Sequence, residues 1–186
     1  MKFAYADPPY LGCARFYADL HADAMIWDDP ETHRQLVNHL SNNYPDGWAL
    51  SLHVPSLCTI RAMCQDDCRI GAWVKPFASF KPGVNPAYAW EPVIWRGGRK
   101  RDRDQPTVRD WCAANITLEH GLTGAKPRAF CRWVFDLLGA ERGDTLDDLF
   151  PGSGAVASAW AEYIGSPSQP RLFPDAPPKA VQETLL

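Results

Sequence analysis

The chain has no apolar run long enough to cross a membrane, no visible internal repeat and no Cys-x-x-Cys pair. The first absence excludes a membrane-spanning helix, which needs about 20 consecutive apolar residues. The second excludes a solenoid or propeller built from repeated units. The third leaves the six cysteines, at positions 13, 58, 64, 68, 112 and 131, without the spacing of a closed zinc site or a redox pair. Excess charge of one sign is also missing. The formal net charge is −3, so the overall balance gives no sign of a nucleic-acid partner, although a local patch can still supply one. The opening "MKFAYADPPY" is too short and too acidic for an export signal. The expectation is therefore a cytoplasmic protein with reduced thiols and no membrane partner.

What remains is one globular domain. The 186 residues are 46% hydrophobic and 12% aromatic, with eight tryptophans, enough for a substantial core. Apolar runs predict strands at residues 3–6, 47–54, 69–76, 87–95 and 144–150. Helical spacing predicts helices over 31–40, 56–68, 126–139 and 154–163, with Gly139 as a stop. Alternating strands and helices imply a layered α/β sheet of about five mostly parallel strands. From Ser166 the composition turns proline-rich and polar, so the domain is expected to span 1–165, with 166–186 a flexible tail.

The chemistry concentrates in two short segments. The first strand ends in Asp7-Pro8-Pro9-Tyr10. Two prolines cannot donate to a sheet ladder, and the C-terminal end of a strand is where open α/β sheets bind ligands. A carboxylate and a prolyl carbonyl can each accept one N–H of an exocyclic amino group, and an aromatic ring can stack on the base that carries it. The second segment, "DDLFPGSG" at residues 147–154, is a strand followed by a glycine turn and a helix start. Gly152 and Gly154 let the backbone approach a ligand closely, and the helix N-terminus offers free N–H groups.

Together these segments make the chain resemble the DNA amino-methyltransferases, which methylate adenine N6 or cytosine N4 using S-adenosylmethionine. Asp7-Pro8-Pro9-Tyr10 is similar to the family's catalytic tetrapeptide, and Asp148, Phe150, Gly152 and Gly154 to its Asp-x-Phe-x-Gly-x-Gly cofactor loop. The order is circularly permuted, catalysis first, as in the beta group. "GLTGAKP" at 121–127 resembles that group's Lys-Pro segment, and "AWVKP" and "AWEPVIW" look like its later strands. The resemblance implies a Rossmann-like methyltransferase fold in a bacterial or phage-infected cell. It implies catalysis by Asp7, Pro8, Pro9 and Tyr10. It implies S-adenosylmethionine held by Asp148, Phe150, Pro151, Gly152, Ser153, Gly154 and Lys126. Asp at the first tetrapeptide position leans toward adenine N6. The target base would be flipped out of its helix and stacked on Tyr10.

The match stops after the helix at 154–163. No strand ending in an acidic, ribose-binding residue follows, so two of the usual seven strands are missing and the strand at 144–150 becomes a sheet edge. An apolar edge of that kind predicts a cover, a homodimer foremost. The same gap leaves open a catalytically impaired nucleic-acid-binding homologue or a subunit of a larger complex. An α/β enzyme acting on a small substrate is a third reading. "RGGRKRDR" places Arg96, Arg99, Lys100, Arg101 and Arg103 against Asp102 alone. That patch suggests phosphate contacts. In the tail, Gln169, Leu172 and Phe173 resemble a short peptide that binds the bacterial sliding clamp. His53, Cys58, Cys64 and Cys68 could suggest zinc, but Cys64 and Cys68 share a predicted helical face with Leu57 and Ile60, which favours packing.

Overall fold

A computed structural model of the chain describes residues 1–18, 23–77, 83–117 and 125–165. Six strands form one sheet: β1 (Lys2–Ala6), β2 (Gly47–Ser51), β3 (Arg69–Val74), β4 (Trp90–Gly97), β5 (Trp111–Ala113) and β6 (Thr145–Asp148), in the order β5-β3-β4-β2-β1-β6. β1 is parallel to β2 and to β6, and β3 is parallel to β5. β4 is antiparallel to both β2 and β3. Every strand but β4 therefore runs the same way, and the expected mostly parallel sheet is present with one strand more than the sequence predicts. The addition is β5, three residues with only its middle one buried, too short to show a period.

The alternation along β1 explains the layers. Phe3 and Tyr5 face one core with Trp73, Trp95, Phe130, Trp133 and Phe135. Ala4 and Ala6 face the other with Leu36, Val37, Leu40, Trp48 and Leu50. Helices α1 (Pro30–Asn43) and α2 (Leu57–Arg61) cover the second face, and α3 (Arg128–Leu138) and α4 (Ala155–Gly165) the first. α1 begins with Pro30 behind Asp29, whose carboxylate accepts the Glu31 N–H at 2.9 Å. α3 ends where Gly139 turns left-handed at φ 64°, with Ala140 N–H donating to Phe135 C=O at 3.0 Å.

Two expectations change. The helix predicted over 56–68 stops at Arg61. Cys64 and Cys68 fall in the turn beyond it, with the Cys64 thiol donating to Ile60 C=O. Strand β4 starts at Trp90 and contains Pro92. Pro92 pairs with Ala72 of β3 and lies one residue beyond the β2–β4 ladder, which ends at Ser51 and Val93; its carbonyl still accepts the Leu52 N–H at 3.2 Å.

Among the described residues β6 is the sheet edge, bonded to β1 alone. It is not the apolar edge that the sequence suggested. Asp147 reaches Lys2 Nζ at 2.8 Å and accepts from Tyr44 Oη at 2.7 Å, so the edge is only four residues long and acidic. Among the described residues no helix is long and apolar enough to cross a membrane. The clamp-like residues Gln169, Leu172 and Phe173 lie outside the described residues.

Candidate active site

Five elements bring polar groups to one end of the sheet, the C-terminal end of its parallel strands. Asp7–Tyr10 leave β1, His53 follows β2 and Lys75 follows β3. Glu91 enters on the reversed β4, and Lys126 precedes α3. Lys126 Nζ lies 2.9 Å from Asp7 Oδ1 and 3.7 Å from Glu91 Oε2, and donates to Tyr10 Oη at 3.1 Å. The Tyr10 hydroxyl lies 2.9 Å from Glu91 Oε2 and 3.2 Å from Asp7 Oδ1. Lys75 Nζ pairs with the other Glu91 oxygen at 2.5 Å. Two carboxylates and two ammonium groups thus form a neutral cluster around one phenol. The Trp73 ring lies 5.1 Å from Lys75 Nζ and 5.6 Å from Lys126 Nζ, close enough for cation–π attraction.

The cluster sets its own ionisation. Burial pushes the Asp7 carboxyl above its usual range, and Lys126 pulls it part of the way back. Burial also works against the Glu91 carboxylate, but the ammonium groups of Lys126 and Lys75 overcome it, so its pKa is lowered. Lys126 is disfavoured by burial and held charged by Asp7 and Glu91, so its pKa is raised. Tyr10 stays a phenol because burial and then the two carboxylates oppose its ionisation.

The glycine loop stands beside this cluster. Tyr5 pairs with Asp148 across β1 and β6, and Leu149 N–H donates to Tyr5 C=O at 3.0 Å. Neighbouring strands lie about 4.8 Å apart, so the tetrapeptide and the loop leave adjacent strands at the same end. Gly152 and Gly154 have φ of 43° and 74°, and a Cβ on Gly154 would meet nothing within 4 Å. The turn is open, with Pro151, Gly152 and Ser153 exposed. Phe150 turns inward onto Trp27, their ring centroids 5.1 Å apart. Asp148 Oδ2 is buried and has no hydrogen-bond partner among the described residues, and burial raises the pKa of that carboxyl. An orphaned carboxylate oxygen beside an open glycine turn and a helix N-terminus suits a ligand that brings its own donors. By that test the residues fit S-adenosylmethionine.

Other sequence-predicted residues fall elsewhere. The basic loop follows the C-terminal end of β4, where Gly97 pairs with Gly47 at the start of β2. It therefore lies at the end of the sheet opposite Asp7. Arg96 is bound to Asp67 at 2.8 Å, and Arg99 grips Asp144 through both carboxylate oxygens at 2.8 Å. Arg101 donates to the Asp136 carbonyl, while Lys100 and Arg103 are exposed. Two of the five predicted phosphate contacts thus carry structural ion pairs. Tyr10, expected as a stacking platform for a base, already has His53 on one face, with centroids 5.5 Å apart and planes 13° from parallel. Lys126, expected among the cofactor-binding residues, contacts Asp7 and Tyr10. Sequence reasoning missed Lys75, Glu91 and His53 as members of the site. The available signal was Glu91, a lone acid in the apolar run "AWEPVIW".

No protein-family model matches the chain, and no curated protein does. Solved structures share its fold. The M1.HpyAVI–SAM complex superposes with a TM-score of 0.57 at 12% identity, covering 88% of this chain and 78% of that one. TTHA0409 from Thermus thermophilus, a proposed DNA modification methylase, superposes with a TM-score of 0.52 at 15% identity, covering 87% and 76%. The chain therefore has the Rossmann-like fold of these proteins.

Proposed function

We propose that the protein transfers a methyl group from S-adenosylmethionine to an exocyclic amino group of a DNA base, with adenine N6 the target that Asp7 favours. One observation carries the reading: Asp7-Pro8-Pro9-Tyr10 and the Asp148–Gly154 loop leave the adjacent parallel strands β1 and β6 at the same end of the sheet. The two structural neighbours, one a complex with SAM and the other a proposed DNA methylase, support it.

An exocyclic amine is a poor nucleophile because its lone pair is delocalised into the ring. Lys126 and Tyr10 make their closest approaches to Asp7 at Oδ1. Oδ2 can accept one amino N–H, and the Pro8 carbonyl, which takes no described backbone bond, can accept the other. Held by both, the nitrogen is turned toward tetrahedral geometry with its lone pair free. Positioning of this kind supplies much of a rate enhancement, and the Asp7 carboxylate stabilises the positive charge that develops on nitrogen. When bound, S-adenosylmethionine supplies an electrophilic methyl group. Asp148 and the turn at Gly152 and Gly154 would hold it.

Incubation with methyl-labelled S-adenosylmethionine and DNA, followed by nucleoside analysis, tests the reading. Label should appear in N6-methyladenine and vanish with Asp7→Ala. The second reading, a nucleic-acid-binding relative without methyl transfer, is favoured by the position of β6 at the sheet edge, with no strand beyond it among the described residues to wall the cofactor. DNA binding without label transfer would select that reading.

A further inference from the structure

Lys126 is 8% exposed and Glu91 is half-buried, and nothing in the methyl-transfer chemistry above uses Glu91 or Lys75. A buried acid is costly to keep unless something needs it. The geometry shows what it holds. Lys126 has three oxygens around its ammonium: Asp7 Oδ1 at 2.9 Å, Tyr10 Oη at 3.1 Å and Glu91 Oε2 at 3.7 Å. Glu91 in turn is fixed through its other oxygen by Lys75, and through Oε2 by the Tyr10 hydroxyl at 2.9 Å. The closest approach of Lys126 to Asp7 is to Oδ1, the oxygen that the Tyr10 hydroxyl also meets at 3.2 Å.

We propose that Glu91, locked by Lys75, clamps the Lys126 ammonium onto Asp7 Oδ1, so that Asp7 offers Oδ2 to the incoming amino group as an oriented anion; Lys126 and Glu91 are positioning residues of the methyl-acceptor site. The inference rests on the methyl-transfer reading for its use. An ammonium free to move would bridge both Asp7 oxygens and block the acceptor. With no ammonium at all, burial would push Asp7 further toward the neutral acid, which lacks the charge that stabilises a cationic nitrogen. Glu91 prevents the first outcome by drawing Lys126 to one side, and Lys126 prevents the second. The direction of the Asp7 shift agrees, since burial raises it and Lys126 opposes the rise. Other titratable groups face Asp7: Glu91 from β4 and Tyr10, Tyr5 from β1, Tyr17, Cys131 from α3 and Asp148 from β6, with Lys75 behind Glu91 and His53 behind Tyr10. Among the described residues Lys126 is the cation that pairs with Asp7 directly.

The test reads Asp7 directly, without requiring catalysis. Carboxyl carbon NMR titration of the full chain, with the Asp7 signal assigned by Asp7→Asn, gives the pKa of the group. Lys126→Met should raise it by at least about one unit, because an opposite charge at this range lowers a carboxyl by about 1–3 units. Glu91→Gln should lower it, and Lys126→Arg should restore the wild-type value. In the active protein the acid limb of kcat should move the same two ways, and Glu91→Asp should recover part of the rate that Glu91→Gln loses. An Asp7 titration unmoved by Lys126→Met overturns the proposal. If that variant does not fold, an Asp7 titration unmoved or raised by Glu91→Gln overturns it instead. A wild-type protein that moves Asp7 as described yet transfers no methyl group would keep the clamp and remove the function.

Discussion

Removing one oxygen from Tyr10 isolates what the polar cluster contributes. Tyr10→Phe keeps the ring on His53, 5.5 Å away, and deletes the hydroxyl that lies 2.9 Å from Glu91 and accepts from Lys126 at 3.1 Å. Both partners are charged, and hydrogen bonds to charged groups contribute about 1.5–3 kcal/mol each. The two losses do not add in full, because Lys126 keeps Asp7 at 2.9 Å and Glu91 keeps Lys75. The net cost should be about 2 kcal/mol, the scale of one such bond. For a chain of this size each kcal/mol moves Tm by about 2–4 °C, so the drop should be about 4–8 °C. Scanning calorimetry of Tyr10→Phe beside Tyr88→Phe measures it. Tyr88 is 57% exposed, so its variant should stay within about 0.5 kcal/mol of wild type. Methyl transfer should fall as well, since the hydroxyl helps to hold the Lys126 clamp. If Tyr10→Phe matches Tyr88→Phe in both stability and rate, the phenol is not part of the cluster and the reasoning fails.

Other expectations follow from single contacts. Asp148→Asn removes a buried charge whose Oδ2 has no partner among the described residues, so it should raise Tm slightly while weakening cofactor binding by calorimetry; a lower Tm with intact affinity would contradict the fit argued for the loop. Asp144 is disfavoured by burial, but the N-terminal ammonium at 2.6 Å and Arg99 at 2.8 Å hold its pKa below the usual range. Its contribution to stability is therefore full above about pH 4 and lost as pH falls further, and Asp144→Asn should flatten that acid limb in denaturant titrations. Arg99→Ala should cost about 2 kcal/mol, less than a fully broken buried pair because the ammonium remains, and should leave the salt dependence of DNA binding unchanged. A slope reduced by about one per lost charge would instead bring phosphates to that end of the sheet.

The sequence revealed the parts of the site that are local and obscured those that are assembled. Asp7–Tyr10 and the turn after Asp148 were legible because each is a contiguous segment whose residues have no other obvious use: prolines closing a strand, glycines opening a helix. Glu91, Lys75 and His53 come from three different elements, and each reads alone as an ordinary strand-end residue. Only the sheet order, which sets β4 between β2 and β3, brings Glu91 to Tyr10 across 81 positions of sequence. The basic loop was only partly legible for the same reason. Its local excess of positive charge is real, but Asp67, Asp144 and Glu141, all remote in sequence, fold against Arg96 and Arg99. The helix expected over 56–68 failed because apolar spacing continued past a turn that the cysteines also suit.

The edge strand carries its own protection against pairing. An unpaired strand invites a second chain, and the absence of two strands beyond β6 was the ground for expecting a dimer. The four residues of β6 read Thr-Leu-Asp-Asp. Asp147 is tied to Lys2 and Tyr44, and its side chain is 39% exposed, so another strand laid along the edge would meet a carboxylate. Short length and charge are two standard protections of an edge, and here both are present, which removes the reason to expect a partner strand. Asp147→Val should undo this by raising strand propensity and deleting the charge. Sedimentation over a range of concentrations should then show self-association in the variant and none through this edge in the wild type. Lys2→Ala, which breaks the ion pair but keeps the carboxylate, should behave as wild type. If Asp147→Val sediments as the wild type does at every concentration, the acid is not what protects the edge.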